Sequence, residues 1–197
     1  IKETEDGRKY CETPFYHFIL LAKDEIGCRQ LRELSSLAWD NSFKTGKMER
    51  VPTLKKDLER VIKSNPGHII ATTACLGGEL SKNVLAMENA RKIGDNRTAE
   101  ECKNKIINFV LWCKNIFGED FYFEVAPAAN RDQIIVNKKI AELSKVFDVK
   151  MVIGCDAHYL TKEDRYVHKS YLNSKGGERE VDAFYEYSYL QTEAEII

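Results

Sequence analysis

The segment His68–Glu79 reads His-Ile-Ile-Ala-Thr-Thr-Ala-Cys-Leu-Gly-Gly-Glu and joins two kinds of sequence pattern. Its first part, His68–Thr73, is short, apolar and β-branched, which predicts a buried strand. The following Cys75–Glu79 contains two consecutive glycines and leads into a helical pattern, so we predict a tight turn that opens a helix. A strand that turns into a helix is the repeating unit of α/β folds.

The same alternation recurs along the chain. Further strands are predicted at Phe15–Ala22, Phe121–Val125 and Lys150–Gly154. Helices are predicted from a cap at Asp24 to Asp40, from a cap at Thr53 to Ser64, at 79–93 and 98–117, from Asn130 or Asp132 to Phe147, and from Thr161 to Asn173, with a loop at 41–53. Such alternation predicts parallel strands joined by helical crossovers, with ligands at the carboxyl ends of the strands.

Composition limits the kind of protein. The 197 residues are 43% hydrophobic and carry a formal net charge of -1, which predicts one domain over residues 1–197 with a sizeable core and no strongly basic surface overall. No apolar run approaches about 18 residues, so no membrane segment is expected. The six cysteines form no CxxC pair and no secretory signal is visible, which favours a reduced, cytoplasmic setting. The polar segment 174–188 is predicted to be a loop before a terminal strand or helix.

Three positions carry side chains typical of metal ligands. Asp156 and His158 follow a predicted strand two residues apart, and in an extended segment both would point to one side and could share a zinc or manganese ion. The alternative is a turn in which Asp156 caps backbone amides. Cys75 is either a thiolate ligand or a small buried apolar residue. Gly77–Gly78 before a helix could cradle a phosphate, but no Lys-Ser/Thr follows.

Three other side chains are ambiguous. His17 is predicted to lie inside its strand, where it is either a core residue or points into a barrel. Glu124 lies mid-strand and points either into a barrel centre or out between helices, and like His168 it is a candidate for a contact behind the metal ligands. His168 lies on a helix near the Asp156–His158 segment, where we expect a structural role or a contact behind the metal ligands.

Six segments, in the same order and spacing, resemble the bacterial DNA polymerase III alpha subunits. These are Tyr16–Gly27, Arg29–Ser36, Ile69–Leu80, Phe121–Val125 followed by Gln133 and Asn137, Cys155–Leu160 and Tyr189–Ile196. The resemblance extends from about Gly7 to Ile196 and falls on the amino-terminal PHP (polymerase and histidinol phosphatase) domain of that family, from a bacterial or phage source.

The resemblance implies a fold and a set of ligands. The fold would be α/β, a partial PHP-type distorted (β/α)7 barrel with mainly parallel strands and surrounding helices, holding up to three divalent metal ions. His17, Cys75, Asp156 and His158 match metal-ligand positions of the family. The parent would be a DNA-directed DNA polymerase, a nucleotidyltransferase of DNA replication with magnesium in its polymerase domain. Its PHP domain would be a metal-dependent 3′–5′ exonuclease or phosphoesterase, or a scaffold for a proofreading or clamp partner.

The match also suggests a piece of a longer protein. The family has nine ligand positions, and five of them precede the block that begins at Ile1, which is not a Met. We therefore expect the C-terminal two-thirds of a PHP domain and an incomplete site that is weak or inactive. We also expect either dimerisation through the surface left exposed or a rearranged or flattened sheet that covers it. Two other hypotheses stay open: a stand-alone PHP phosphoesterase that acts on small phosphate esters, and a non-catalytic binding module.

Overall fold

The computed structural model describes residues 2–3, 9–10, 14–127, 130–174 and 185–196. The strands are β1 (Lys2–Glu3), β2 (Lys9–Tyr10), β3 (Ile19–Ala22), β4 (Phe43–Thr45), β5 (Met48–Arg50), β6 (Ile69–Thr72), β7 (Phe121–Val125) and β8 (Met151–Ile153). The helices are α1 (Glu25–Asp40), α2 (Lys55–Ser64), α3 (Glu79–Lys92), α4 (Asn96–Phe117), α5 (Arg131–Phe147), α6 (Arg165–Asn173) and α7 (Glu193–Ile196), with 3-10 turns at Gly118–Asp120 and Lys162–Asp164. Within these ranges no helix is both long and apolar enough to cross a bilayer.

The central sheet has four strands in the order β3-β6-β7-β8. The pairs β6–β7 and β7–β8 are parallel, which confirms the predicted α/β architecture with a mainly parallel sheet. The β3–β6 pair is antiparallel, with Ile19 opposite Thr72 and Ala22 opposite Ile69. The prediction of parallel strands throughout was therefore wrong at β3, because a buried apolar strand has the same pattern in either direction.

Several predicted boundaries shift in the structure. Of the predicted strand Phe15–Ala22, the part Ile19–Ala22 forms the strand β3. The predicted loop 41–53 contains the hairpin β4–β5. Leu54 is the N-cap of α2 and makes no side-chain capping bond, so the cap predicted at Thr53 is wrong. Most of the predicted 174–188 loop lies outside the described residues.

The N-caps of two helices agree with the prediction. Asp24 accepts hydrogen bonds from the backbone nitrogens of Ile26 and Gly27 at 2.9 and 3.0 Å, and Asn130 accepts one from that of Gln133 at 2.9 Å. These side chains satisfy amides that the first helical turn leaves without partners. The caps thus mark where α1 and α5 begin.

The two faces of the sheet differ. Helices α1 to α5 and the buried core lie on one face of the sheet. The strand side chains on this face include Ile69, Ala71, Phe121 and Phe123. The alternate residues point to the other face and line an open cavity of about 980 Å³, among them Ile19, Leu21, Ile70, Thr72, Tyr122 and Glu124. This alternation follows from the two-residue period of a strand. It leaves a largely apolar sheet face open.

Candidate metal site at the carboxyl edge of the sheet

His17 reaches the sheet edge because β3 runs antiparallel to β6. It lies two residues before β3, outside the strand in which it was predicted, and pairs with Gly78 through an isolated bridge. Its backbone nitrogen donates to the Gly77 carbonyl at 3.1 Å. The amino end of β3 therefore adjoins the carboxyl end of β6, and His17 meets residues that follow β6.

Cys75 lies against His17. Nδ1 of the imidazole is 3.4 Å from Sγ of Cys75. An added Cβ at Gly77 would lie 2.8 Å from Nδ1 of His17, so a larger residue at 77 would displace the ring. The glycine pair considered as a phosphate cradle thus makes room for an imidazole.

The Asp156 carboxylate is a neighbour of the Cys75 thiol. Burial raises the pKa of Cys75, and the neighbouring Asp156 carboxylate, which also hydrogen-bonds the thiol, raises it further. In the metal-free protein the thiol therefore stays protonated at neutral pH. A bound cation would favour the thiolate, since thiol ligands bind in the deprotonated form.

The side chain of His158 is directed away from this group. Asp156 has a φ of 45°, so the segment is not extended as the two-residue spacing assumed. Nδ1 of His158 lies 2.7 Å from the Asp156 carbonyl oxygen, and its ring packs 5.8 Å from that of His168 and 5.0 Å from that of Tyr185 between centroids. His158 is therefore in an aromatic cluster beside the His17–Cys75–Asp156 group.

His168, predicted to stand behind the ligands, packs in that aromatic cluster. Its ring contacts His158, Tyr159 and Tyr185, and its Nδ1 is buried with no hydrogen-bond partner in the part of the chain that is described. Burial lowers the pKa of His168, and the charges of His158 and Arg165 lower it further. The ring is thus held as a neutral imidazole at neutral pH.

Glu124 points to the open face of the sheet. Oγ1 of Thr72 donates to its Oε2 at 2.5 Å, and only 7% of the residue is exposed. Burial raises the pKa of the Glu124 carboxyl, and the charge of Asp156 also raises it. Of the two orientations left open by the sequence, the structure therefore excludes the one between the helices, because Glu124 lies on the open face of the sheet.

The donor set suits a soft or borderline divalent ion. An imidazole nitrogen, a thiol sulfur and a carboxylate oxygen are all zinc ligands. Tetrahedral zinc with bonds of about 2.0 Å to nitrogen and 2.3 Å to sulfur holds these two atoms about 3.5 Å apart. The 3.4 Å between His17 and Cys75 is close to that separation. Among the described residues no three His, Cys, Asp or Glu side chains already form a group that could hold a metal ion, so the donors would have to move closer together to share one.

Sequence reasoning missed two residues that shape the site. Thr72 and Gly154 both contact the Glu124 carboxyl, and an added Cβ at Gly154 would lie 2.3 Å from Oε1 of Glu124. The available signal for Gly154 was a glycine as the last residue of a predicted strand. Thr72 had none, because its partner is 52 residues away.

Comparison with known proteins shows what the chain resembles. A family model described as "PHP domain" matches residues 4–128. The chain is 48% identical over all 197 residues to "Probable DNA polymerase YorL" of Bacillus subtilis (strain 168) and to "DNA-directed DNA polymerase" of Bacillus phage SPbeta, and it covers 15% of each. It is 36% identical over 149 residues to "DNA polymerase III subunit alpha" of Borreliella burgdorferi, which is 76% of this chain and 11% of that protein. The chain thus spans a small part of the length of these relatives.

Proposed function

The chain belongs to the PHP-domain family, and from that premise we propose that it is the metal-binding part of a replicative DNA polymerase of the DNA polymerase III alpha kind. The proposed site binds a divalent ion, zinc or manganese, through His17, Cys75 and Asp156. The observation that carries the proposal is the 3.4 Å approach of the His17 imidazole to the Cys75 thiol, with the Asp156 carboxylate also close to that thiol.

The chemistry proposed for the site is metal-dependent hydrolysis of a phosphoester, of the 3′–5′ exonuclease type. A bound ion would supply an activated water and would neutralise phosphate charge. His17 and Asp156 are exposed and Cys75 is half-buried, so the donors are accessible. His17, Cys75 and Asp156 also line the open cavity, which gives a substrate a route to them.

The activities of the whole protein are also proposals. Relatives named DNA polymerases are far longer than this chain, so polymerisation with magnesium, the binding of DNA and the docking of a proofreading or clamp protein would involve regions outside it. We propose further that the four-stranded sheet is part of a distorted PHP-type barrel and that His158 completes the site after rotation of its ring.

The experiment compares metal-dependent cleavage by matched variants. A 3′-labelled single-stranded oligonucleotide is incubated with the protein in zinc or manganese, and the same samples are tested with bis-p-nitrophenyl phosphate. Asp156→Ala is expected to abolish metal-dependent release, whereas Asp132→Ala, an exposed carboxylate of α5, leaves it unchanged. His158→Ala is expected to lower the activity less than Asp156→Ala, since its ring is held in the aromatic cluster. Equal activity of Asp156→Ala and the wild type would contradict the assignment.

A non-catalytic scaffold is the second candidate. It is supported by the lack of a preformed group of three donors among the described residues and by the packing of His158 against Tyr185. In this function Cys75 and Asp156 are structural. Elemental analysis of the purified protein that finds no zinc or manganese, together with retained capture of a proofreading subunit, would favour the scaffold.

A further inference from the structure

One buried carboxyl lies between the two turns that carry Cys75 and Asp156. Glu124 is on β7, the strand between β6 and β8, and its side chain emerges on the open face of the sheet. Cys75 follows β6 and Asp156 follows β8. The carboxyl is therefore placed to contact both connections.

The first connection is held through Thr72. Its hydroxyl donates to Oε2 of Glu124 at 2.5 Å and accepts a hydrogen bond from the Ala74 backbone nitrogen at 3.3 Å. Ala74 has a φ of 58°, a left-handed conformation that costs about 1–2 kcal/mol in a residue with a side chain. Such a conformation persists only where its surroundings hold it, and it aims the next residue, Cys75.

The second connection is held through Gly154. An added Cβ there would lie 2.3 Å from Oε1 of Glu124, so the backbone passes directly against the carboxyl. Asp156, two residues on, is also left-handed, with a φ of 45°. One carboxyl thus contacts the chain just ahead of both left-handed residues.

The geometry points to Glu124 as a positioning residue that holds the Cys75 and Asp156 turns in the arrangement needed to share a metal ion. This inference rests on the proposed metal site and names a residue that acts on it without contacting the ion. The carboxyl orients both ligand-bearing turns from behind, as hydrogen-bonded groups behind metal ligands commonly do.

Two adjacent threonines offer a matched test. Thr72 and Thr73 are 6% and 0% exposed, and valine has nearly the shape of threonine. Thr72→Val removes the hydroxyl bonded to the Glu124 carboxyl. Thr73→Val removes the hydroxyl that accepts from the Glu124 backbone nitrogen at 2.9 Å, on the helix-facing side. Both variants bury one hydroxyl fewer, but only the first removes a hydrogen bond to the carboxyl.

Cobalt(II) binding supplies a readout that a purely structural role would not change. Its thiolate charge-transfer band reports on Cys75 and its d–d bands report on the geometry of the ligands. Thr72→Val and Glu124→Ala are expected to weaken cobalt and zinc binding about 10- to 100-fold and to shift the d–d bands. Thr73→Val is expected to lower thermal stability and leave the spectrum unchanged. Glu124→Gln, whose amide oxygen still accepts from Thr72, is expected to restore most of the affinity.

The outcomes separate this inference from the proposed function. If the wild type binds cobalt and Thr72→Val, Glu124→Ala and Thr73→Val all give wild-type affinity and spectra, the metal site stands and the positioning role is overturned. If the wild type binds no cobalt or zinc, the proposed function fails. Peptide-resolved alkylation of the metal-free protein by iodoacetamide then decides the positioning role. The alkylation rate of Cys75 relative to that of Cys28 is expected to change several-fold in Thr72→Val and Glu124→Ala. An unchanged ratio of the two alkylation rates would overturn the inference.

Discussion

At the scale of single residues, two glycines determine how closely side chains approach in the candidate site. An added Cβ would lie 2.8 Å from Nδ1 of His17 at Gly77, and 2.3 Å from Oε1 of Glu124 at Gly154. Neither glycine has a positive φ. Glycine is therefore required at both positions because a side chain would not fit, and not because the backbone is left-handed. A methyl group at either position therefore acts directly on the neighbouring polar side chain.

Gly154→Ala tests this requirement for space. The new methyl would force the Glu124 carboxyl out of its place beside Thr72, and overpacking of this kind costs about 1–3 kcal/mol. Urea unfolding of the wild type and the variant measures the change. On a Glu124→Ala background the obstructing carboxyl is gone, so the cost of Gly154→Ala should shrink in a double-mutant cycle. Equal costs on both backgrounds would show that the methyl does not act through Glu124.

These residues could be predicted from sequence only where the pattern that indicates them lies in the neighbouring residues of the chain. Cys75 and Asp156 could be singled out because each follows an apolar strand, where ligands gather in parallel α/β folds. The contact of Thr72 with Glu124 joins residues 52 positions apart, and no local pattern reveals it. The left-handed φ of Asp156 was equally invisible, so the direction of His158 could not be inferred from its spacing.

At the scale of elements, the direction of β3 decides which residues meet. Its antiparallel pairing with β6 places His17 at the edge where Cys75 lies. Strand positions and most helix ends followed from hydrophobic periodicity and caps, because these are local properties. Strand direction and the β4–β5 hairpin depend on tertiary packing and were not predicted. A parallel β3 would have left His17 at the opposite edge.

Asp24 links the start of α1 to the connection between α2 and β6. Its Oδ1 caps the helix, and its Oδ2 lies 2.7 Å from Nδ1 of His68. Asp24→Ala is expected to lower the melting temperature because both interactions are lost, and Asp24→Asn is expected to lower it less because asparagine also caps helices. Asp40→Ala, an exposed acid at the other end of α1, serves as the control and should not destabilise the protein.

The pH dependence of the Asp24 effect has a definite sign. A backbone hydrogen bond from Gly27 and the bond with His68 hold the pKa of Asp24 below its ordinary value. The ionised form is therefore favoured in the folded state, and its stabilisation is present at neutral pH and is lost as the pH falls through the lowered pKa. Melting curves of the wild type and Asp24→Asn should converge in acid. A difference that grew on acidification would contradict this assignment.

At the scale of the whole molecule, the sheet separates a packed face from an open one. Leu20 packs against the core beneath the helices, whereas Leu21 points to the cavity and is 52% exposed. The candidate metal ligands line the cavity on the open face, so the proposed site lies on the face of the sheet that is opposite the core.

These adjacent leucines test the sidedness of the sheet. Leu20→Ala removes packed methyl groups and is expected to destabilise the protein by about 2 kcal/mol or more. Leu21→Ala leaves the core intact and is expected to cost less than about 1 kcal/mol. Chemical denaturation of the two variants measures the difference. Equal losses of stability in the two variants would indicate that the open face of the sheet is covered, which would contradict the open cavity.

The most direct test of the account is zinc K-edge X-ray absorption on the zinc-loaded protein. The proposed site predicts one sulfur neighbour at about 2.3 Å together with nitrogen and oxygen neighbours at about 2.0–2.1 Å. The sulfur shell should vanish in Cys75→Ser and remain in Cys28→Ser, a half-buried cysteine of α1. A zinc ion without any sulfur neighbour, or an identical sulfur shell in Cys75→Ser, would contradict the site built by His17, Cys75 and Asp156.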